Sequence, residues 1–508
     1  MKATYETDRL ITSLLDYAAE KKLIRMADRI FCANQICERL GLDGYTPRRS
    51  GERQPLCEIL ASLCGIAAKE GVIPEGISAS DRFDTLLMGI LTPRPSDVDR
   101  KFSRLWRRDP REASDYFYRL ATDSNYIRAD RIAKDRRWSV ASRYGDIDIS
   151  INLSKPEKDP RDIAAAKNAP QTGYPKCLLC KENVGFAGDL LKPARQNLRQ
   201  IPVGLGGEKW LMQYSPYVYY NEHCIVLSPK HEPMRISRGT FVRMFDFVTF
   251  LPHYFIGSNA DLPIVGGSIL SHDHMQGGCY EFPMERAGEA VALRFEGYPG
   301  VKASVVDWPM SVIRLRSTDR EALTELSDRL LASWRGYSDP SAGIFAETDG
   351  VPHNTVTPIA RRRGTDYEID LVLRNNITDE AHPMGVFHPH ADKHNIKKEN
   401  IGLIEVMGLA ILPARLLSEL SRLETMLTAG AGADEIAKDP VCGKHAGWVA
   451  SFADRYDFTT ENTAEILRTE TGRTFTAVLE DSGVFNNDAA GREAFLRFLS
   501  SAGAAAVR

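Results

Sequence analysis

Two histidines and a glutamine stand at alternate positions in the segment 266–278, which has a pair of glycines at each end. If the segment is extended, His272, His274 and Gln276 point to one face. A neutral imidazole can attack phosphorus, and a glutamine amide can donate to a phosphoryl oxygen without competing for the proton. Paired glycines let backbone approach a phosphate closely. One histidine alone would more often be structural, but the combined pattern favours a nucleophilic site acting on phosphorus.

A Cys-x-x-Cys pair, Cys177 and Cys180, suits one edge of a tetrahedral zinc site. A redox pair is an alternative, although no thioredoxin-like βαβ pattern surrounds it, and two buried thiols are another. His231 follows an apolar stretch, and His272 is the first histidine of the alternating segment. Together the four side chains would form a closed structural site, and the two histidines favour metal over the alternatives.

Two further polar segments are candidates for substrate binding. Arg195, Asn197 and Arg199 precede a glycine-rich stretch with aromatic neighbours and could read a nucleobase edge, although a solvated turn looks the same. His388 and His390 lie in a run of histidines and lysines that suits a sugar phosphate or a second metal. A solvated charged face is an equally good interpretation of that run.

The elements that must position these residues follow from the apolar spacing. Residues 1 to about 130 have helical periodicity, without any catalytic constellation, and helical spacing returns from residue 402. Between them, period-2 alternation at 146–153 predicts a strand, and helical spacing at 240–250 predicts a helix. Further strand signals lie at 217–220, 224–227, 265–270, 312–315 and 369–373. This order indicates an α+β protein.

The composition limits the classes of protein. The chain has 508 residues and a formal net charge of -3, which allows several domains and does not favour nucleic acid as a partner. It has no apolar run of about 18 residues, so we expect no membrane span. The N-terminus lacks a secretory pattern, and most of the nine cysteines lie in apolar segments. We therefore expect a cytoplasmic protein.

The segment 271–278 resembles the active-site strand of the histidine-triad superfamily. It is most similar to the hexose-1-phosphate uridylyltransferase branch, in which glutamine, here Gln276, replaces the third histidine of the triad. The helical N-terminal region is not typical of the widespread class of that enzyme, and the segments 144–160, 213–217 and 402–408 resemble the second, bacterial class of galactose-1-phosphate uridylyltransferase. One departure is Asp273, where the widespread class has proline after its first motif histidine.

The resemblance implies a reaction and roles for residues. UDP-glucose and galactose 1-phosphate would give glucose 1-phosphate and UDP-galactose by a ping-pong route, without an organic cofactor. His274 would be the nucleophile and Gln276 the phosphoryl contact, with His272 fixing the strand. Residues near the UDP phosphates would be Asn259, Gly267 and Ser268. A structural zinc would bind Cys177, Cys180, His231 and His272.

The resemblance also implies two tandem histidine-triad-like antiparallel-sheet domains with helical N- and C-terminal extensions, and a homodimer. The expected ranges are 1–135 for the N-terminal helices, 136–300 and 301–410 for the two domains, and 411–508 for the C-terminal helices. His388 and His390 suit the tandem arrangement, because they repeat the His-x-His spacing. Alternative functions are a nucleotide-sugar hydrolase or phosphorylase of the same superfamily, a non-enzymatic nucleotide-sugar sensor, or a zinc hydrolase with an open metal position.

Overall fold

The computed structural model describes residues 2–49, 53–154, 173–267 and 269–507. The N-terminal region is helical, as its periodicity predicts. Its helices are α1 (Tyr5–Glu20), α2 (Arg29–Leu40), α3 (Leu56–Lys69), α4 (Ile77–Leu91), α5 (Pro95–Trp106), α6 (Pro110–Asp123) and α7 (Ala129–Ile132). Local signals start several of them: the Thr4 side chain accepts from an N–H of α1, and prolines open α5 and α6.

The strands follow this helical region. They are β1 (Arg136–Ser142), β2 (Gly145–Ile151), β3 (Ile201–Leu205), β4 (Glu208–Tyr214), β5 (Cys224–Leu227), β6 (Phe255–Gly257), β7 (His274–Gly278), β8 (Glu289–Phe295), β9 (Lys302–Val306), β10 (Val312–Ser317), β11 (Glu347–Thr348), β12 (Val351–Pro352), β13 (Asn354–Arg363), β14 (Asp366–Asn375), β15 (Leu409–Leu412) and β16 (Ala504–Ala506). Eleven of them form one antiparallel sheet in the order β16-β8-β9-β10-β14-β13-β6-β7-β5-β4-β3. A smaller sheet has the order β1-β2-β15.

The remaining helices lie between and after the strands. They are α8 (Arg238–Phe250), α9 (Pro283–Arg286), α10 (Arg320–Arg335), α11 (Leu403–Val406), α12 (Arg415–Thr428), α13 (Ala433–Ile436), α14 (Ala446–Ala450), α15 (Thr463–Asp481) and α16 (Ala489–Ser501). Short 3-10 turns occur at Met26–Asp28, Lys181–Asn183, Pro340–Ala342, Ala391–Lys393, Gly443–His445 and Ala453–Arg455.

The large sheet separates two apolar cores. One core packs the sheet against α8 and α10 and contains Phe241, Met244 and Met275. The other lies toward the small sheet and α15 and contains Ile149, Leu403 and Phe475. Because side chains alternate along a strand, the burial of Met275 in the first core turns His274 and Gln276 to the second side.

The α+β class with a large antiparallel sheet is confirmed, and the sheet is continuous. Its two halves meet where β6 pairs with β13, at Gly257–Ile359 and Ile256–Ala360. β8 and β9 also pair across the expected boundary at residue 300. The four ranges stay a prediction, because a shared sheet does not by itself define domain limits.

Two expected strands do not form. Residues 217–220 make a turn, and residues 265–267, with 269 and 270, lie in a loop that precedes β7. Proline at 216 and the sequence Pro263 to Gly267 interrupt regular pairing at these places. The His388 and His390 pair also lies outside any strand of the described chain.

Two helical glycines give a test of the packing. A Cβ added at Gly472 of α15 would lie 2.5 Å from Val140 side-chain carbons, whereas one at Gly65 of α3 meets nothing within 4 Å. We expect Gly472→Ala to destabilise by about 1–3 kcal/mol through overpacking. The matched Gly65→Ala should stabilise by roughly 0.5–1 kcal/mol through lower chain entropy. Urea unfolding of both variants measures this difference, and the same sign for both would contradict the packing of α15 on β1.

Candidate active site and metal centre

The strand β7 lies between β5 and β6, and this pairing sets the position of the alternating residues. On one side His274 pairs with Leu227 and Gln276 with Ile225; on the other, Gln276 pairs with Gly257. Gly277 is required by this close packing, because a Cβ there would lie 2.6 Å from the Phe255 carbonyl oxygen. The glycines after the motif therefore serve strand pairing.

His274 has one nitrogen available for chemistry. Its side chain is buried, and its Nδ1–H donates to the backbone oxygen of His272 at 2.8 Å. Since a carbonyl can only accept, Nδ1 carries the proton and Nε2 keeps its lone pair. Burial lowers the pKa of His274 to about 4, so the imidazole is neutral near pH 7. A neutral, oriented imidazole is the form that a nucleophile requires.

A second histidine, His223, orients the amide of Gln276. Its Nε2–H donates to Gln276 Oε1 at 3.0 Å, which directs the Gln276 NH₂ group away from His223. The His223 ring is 2% exposed and packs against the Tyr220 ring, with centroids 4.5 Å apart. Burial lowers its pKa to about 4, and its Nδ1 has no partner among the described residues. Sequence reasoning missed this residue, because only the pairing of β5 with β7 brings it to Gln276.

The loop before β7 brings Asn259 and Gly267 together. A Cβ at Gly267 would lie 2.6 Å from Asn259 Nδ2, so the glycine backbone lies directly on that amide. Asn259 Oδ1 accepts from the Leu403 N–H at 2.9 Å. Asn259 lies two residues after the end of β6, which pairs with β7 as far as Gly257 and Gln276. Ser268 lies outside the described residues.

Cys177, Cys180, His231 and His272 form one cluster, with ligand atoms all within 4.8 Å of one another. The two Sγ atoms are 3.6 Å apart, and the His272 Nδ1 lies 3.3 Å from Cys177 Sγ and 3.8 Å from Cys180 Sγ. His231 Nδ1 lies 3.3 Å from Cys180 Sγ. Tetrahedral zinc, with bonds of about 2.3 Å to sulfur and about 2.0 Å to nitrogen, requires edges of this length. The cluster can hold a metal ion.

Surrounding groups fix these four side chains. His272 Nε2–H donates to the Ser228 carbonyl at 2.8 Å, which leaves its Nδ1 lone pair directed at the thiols. Asn183 Nδ2 donates to the carbonyls of Cys177 and Cys180, at 2.9 and 2.8 Å. Within the described ranges, no second group of three or more such ligands comes close enough to hold an ion.

Arg195, Asn197 and Arg199 face the helical region instead of β7. Asn197 Nδ2 donates to the Ser124 carbonyl at 2.9 Å, and the Arg195 guanidinium lies 5.4 Å from the Tyr126 ring centroid. Arg199 donates to four backbone carbonyls, those of Thr92, Pro93, Gln196 and Leu198. These contacts attach the sheet to the helices, and a substrate role for the three residues stays a prediction.

His388 and His390 point to different neighbours. The Gly385 backbone lies close to both His388 and Ile264, so this segment packs on the loop before β7. His388 Nε2–H donates to Asn400 Oδ1 at 3.2 Å. The His390 N–H donates to Asp481 at 3.0 Å, at the end of α15. His388 thus lies next to the loop of Asn259, whereas His390 contacts the C-terminal helices.

Comparison with known proteins gives matches over almost the whole chain. Two family models match: Galactose-1-phosphate uridyl transferase, N-terminal domain, at residues 52–233, and its C-terminal domain at residues 248–429. The galactose-1-phosphate uridylyltransferase of Fusobacterium nucleatum is 49% identical, covering 97% of this chain and 98% of that protein. The enzyme of that name from Clostridium acetobutylicum is 50% identical, covering 96% and 99%. The chain belongs to the galactose-1-phosphate uridylyltransferase family.

The two family models cover different residues of the candidate metal centre and the candidate active site. The N-terminal galactose-1-phosphate uridyl transferase model includes Cys177, Cys180 and His231, and the C-terminal one includes β7. Among solved structures, yeast Ap4A phosphorylase has a TM-score of 0.29 and 11% sequence identity, over 59% of this chain and 88% of that one. That likeness is too distant to bear on function. No helix in the described ranges is long and apolar enough to cross a membrane.

Proposed function

We propose that the chain is a uridylyltransferase that converts UDP-glucose and galactose 1-phosphate to glucose 1-phosphate and UDP-galactose. The observation that carries the proposal is His274, a buried neutral imidazole whose Nε2 is free for attack beside an oriented amide. The proposal is supported by relatives of that name at 49 and 50% identity over nearly the full chain.

The first half-reaction begins at His274. Its Nε2 lone pair attacks the α-phosphorus of UDP-glucose, and the bond from this phosphorus to the bridging oxygen breaks. The electron pair leaves with that oxygen as glucose 1-phosphate, which is ionised and needs no acid. The positive charge that develops on the ring is stabilised by the Nδ1–H bond to the His272 carbonyl.

The second half-reaction regenerates the imidazole. A phosphate oxygen of galactose 1-phosphate attacks the uridylyl phosphorus, the bond to Nε2 breaks, and UDP-galactose leaves. Because the attacking oxygen is already ionised near pH 7, no general base is required. The chain must therefore supply orientation and hydrogen-bond donors, which is what a preorganised site provides.

Gln276 would be the donor to the phosphoryl oxygens. The bond from His223 occupies the amide oxygen, so the amide that faces the substrate presents N–H groups only. A histidine at position 276 could instead exchange protons with water. Glutamine therefore argues against the hydrolase, because it offers no base to activate water near the uridylyl group.

Labelling of the intermediate separates the proposal from its rivals. Protein incubated with UDP-glucose labelled in the uridine, then denatured, should carry label on the peptide with residues 271–278. Galactose 1-phosphate should discharge the label, and His274→Gly should not form it. Glucose 1-phosphate appearing with free UMP and no adduct would indicate a hydrolase, and neither adduct nor product would indicate a sensor.

Because His223 contacts Gln276, we expect that the losses of kcat from substituting these two residues are not additive. Removing the Gln276 donor by Gln276→Leu should lower kcat about 100-fold. His223→Phe leaves the amide free to rotate and should lower kcat about tenfold. The double variant should be no slower than Gln276→Leu alone, because His223 acts through that amide. Steady-state kinetics of the three variants measure this.

The matched control is His253→Phe. His253 also has a pKa lowered to about 4, mainly by burial, but its hydrogen bond goes to Ser114 on α6. This variant should keep the wild-type kcat. Additive losses in the double variant, or an equal loss in the control, would show that His223 contributes only to packing.

We also propose that Cys177, Cys180, His231 and His272 bind a structural zinc ion. The donor set is complete and lies around one point, so no position is left for substrate or water. When bound, zinc would tie the Cys-x-x-Cys turn to β7 through His272. Its chemical contribution would be to hold the strand, since both thiolates and both imidazoles are used as ligands.

Zinc content and stability test this second proposal. The purified chain should hold about one equivalent of zinc by mass spectrometry, and His231→Ala should lose it and unfold at a lower temperature. His353→Ala, at another buried histidine outside the cluster, should keep the metal. Immediate and fully reversible loss of activity with a chelator, at unchanged Tm, would favour a zinc hydrolase instead.

A cytoplasmic location is supported by the cysteines. All nine are unpaired, and six of them are buried. Free thiols in these numbers are typical of a reducing compartment. A homodimer stays a prediction from the family resemblance.

A further inference from the structure

A basic cavity lies in the N-terminal helical region. Its volume is about 1160 Å³, and its walls are the connection from α1 to α2, the end of α4, one face of α5 and Tyr116 of α6. No residue of β5, β6 or β7 lines it. α5 packs on β3, which is the edge strand at one end of the large sheet. The proposed uridylyl transfer makes no use of this cavity.

The cavity is strongly positive, although the chain as a whole has a net charge of -3. Three carboxylates contribute to its lining, those of Asp28, Asp97 and Asp99. The cationic side chains of the lining are Lys22, Arg25, Arg94, Arg100, Lys101, Arg104 and Arg107. The positive charge is therefore a local feature of this cavity.

Most of these cations lack an anionic partner. Arg100 pairs with Asp97 at 3.2 Å. Within the described part of the chain, no carboxylate oxygen lies within 4.0 Å of the other six. Asp28 accepts from the Arg25 backbone N–H, and Asp99 accepts from Ser103. The seven cations of the lining therefore outnumber its three carboxylates, and only one of the cations is in an ion pair.

The excess of positive charge in the cavity affects Lys101. Its side chain is half-buried, with Nζ 4.1 Å from the Tyr116 ring centroid. Burial lowers the pKa of Lys101, and the nearby Arg104, Lys22 and Arg119 lower it further. The other six cations of the lining are exposed, and their repulsion of half-buried Lys101 costs free energy in the absence of a counter-ion. A bound anion would remove that cost.

Hydrogen bonds fix the backbone of one part of the cavity wall. Buried Arg199 donates to the carbonyls of Thr92 and Pro93, at 3.0 and 2.6 Å, directly before Arg94 and α5. At the rim, Phe31 is 60% exposed and offers an aromatic face. A backbone fixed by hydrogen bonds, several unpaired cations and an exposed aromatic ring are features of sites for phosphorylated ligands.

We propose that this cavity binds a phosphate-rich small anion, either a nucleoside polyphosphate or an inorganic polyphosphate, at a site separate from His274. Arginine and lysine together fit several phosphate groups, arginine as a fork and lysine as a point charge. The volume exceeds what a nucleotide requires. The proposal is independent of uridylyl transfer and can hold if that function fails.

Calorimetric titration of the full chain tests the site, with tripolyphosphate and ATP as probes at low ionic strength. Both should bind the wild type, and binding should weaken as salt rises. The charge reversal Lys101→Glu/Arg104→Glu should weaken both at least about tenfold. If Phe31→Ala weakens ATP alone, the ligand is a nucleotide. If it changes neither, the ligand is an inorganic polyphosphate.

The matched control is Lys209→Glu/Lys302→Glu, which reverses two exposed lysines on β4 and β9. It should keep wild-type affinity, as should His274→Gly. The cavity variant should not lower Tm, because it relieves repulsion; Lys101→Gln/Arg104→Gln is the second variant if it does. No binding to wild type, equal loss in the control, or loss in His274→Gly would overturn the proposal.

Discussion

The pairing of β5 with β7 is the interaction on which both sites depend. At the end of β5, the Ser228 carbonyl accepts from His272 and the Ser228 N–H donates to the Asp273 carbonyl. This arrangement turns His272 toward the thiols, and His274, two residues further on, donates from Nδ1 to the His272 carbonyl. A register shift of one residue would exchange His274 with Met275 and bury the proposed nucleophile in the apolar core. The candidate metal cluster and His274 therefore depend on the same hydrogen bonds between β5 and β7.

Short-range patterns predicted a large part of this arrangement. The strand at 224–227 and the helix near 240–250 follow from periodicity, and alternation set His274 and Gln276 on one face. The two histidines that lie beside the Cys-x-x-Cys pair could be predicted, because few residue types bind metal ions and the geometry of a metal site is strict. Residue type was less informative for Arg199. An arginine near glycines suits a nucleotide, and here its guanidinium donates to four backbone carbonyls, so a substrate role stays a prediction.

Long-range pairing set the limit of sequence reasoning. His223 contacts Gln276 because β5 and β7, which are distant in the chain, pair antiparallel. The sequence around position 223 does not indicate the register of that pairing. The strand expected at 265–270 does not form, and here the reason is local. Its apolar residues resemble a strand, but Gly266 lies too close to the carbonyls of Leu262 and Ala260 for any side chain, and the chain folds as a loop. That loop places Gly267 against Asn259, so the irregular segment forms part of the candidate site.

The narrow junction between the two halves of the large sheet bears on how the chain is made. β6 is three residues long, and it joins β7 on one side to β13 on the other, about a hundred positions further along. Closing so long a loop is slow compared with forming the N-terminal helices, whose contacts are local. Until β13 has been synthesised, β6 is an edge strand with unpaired backbone groups next to β7. A chain arrested before that point would hold the four candidate metal ligands and His274, yet would leave β6 without the partner strand that covers its backbone groups.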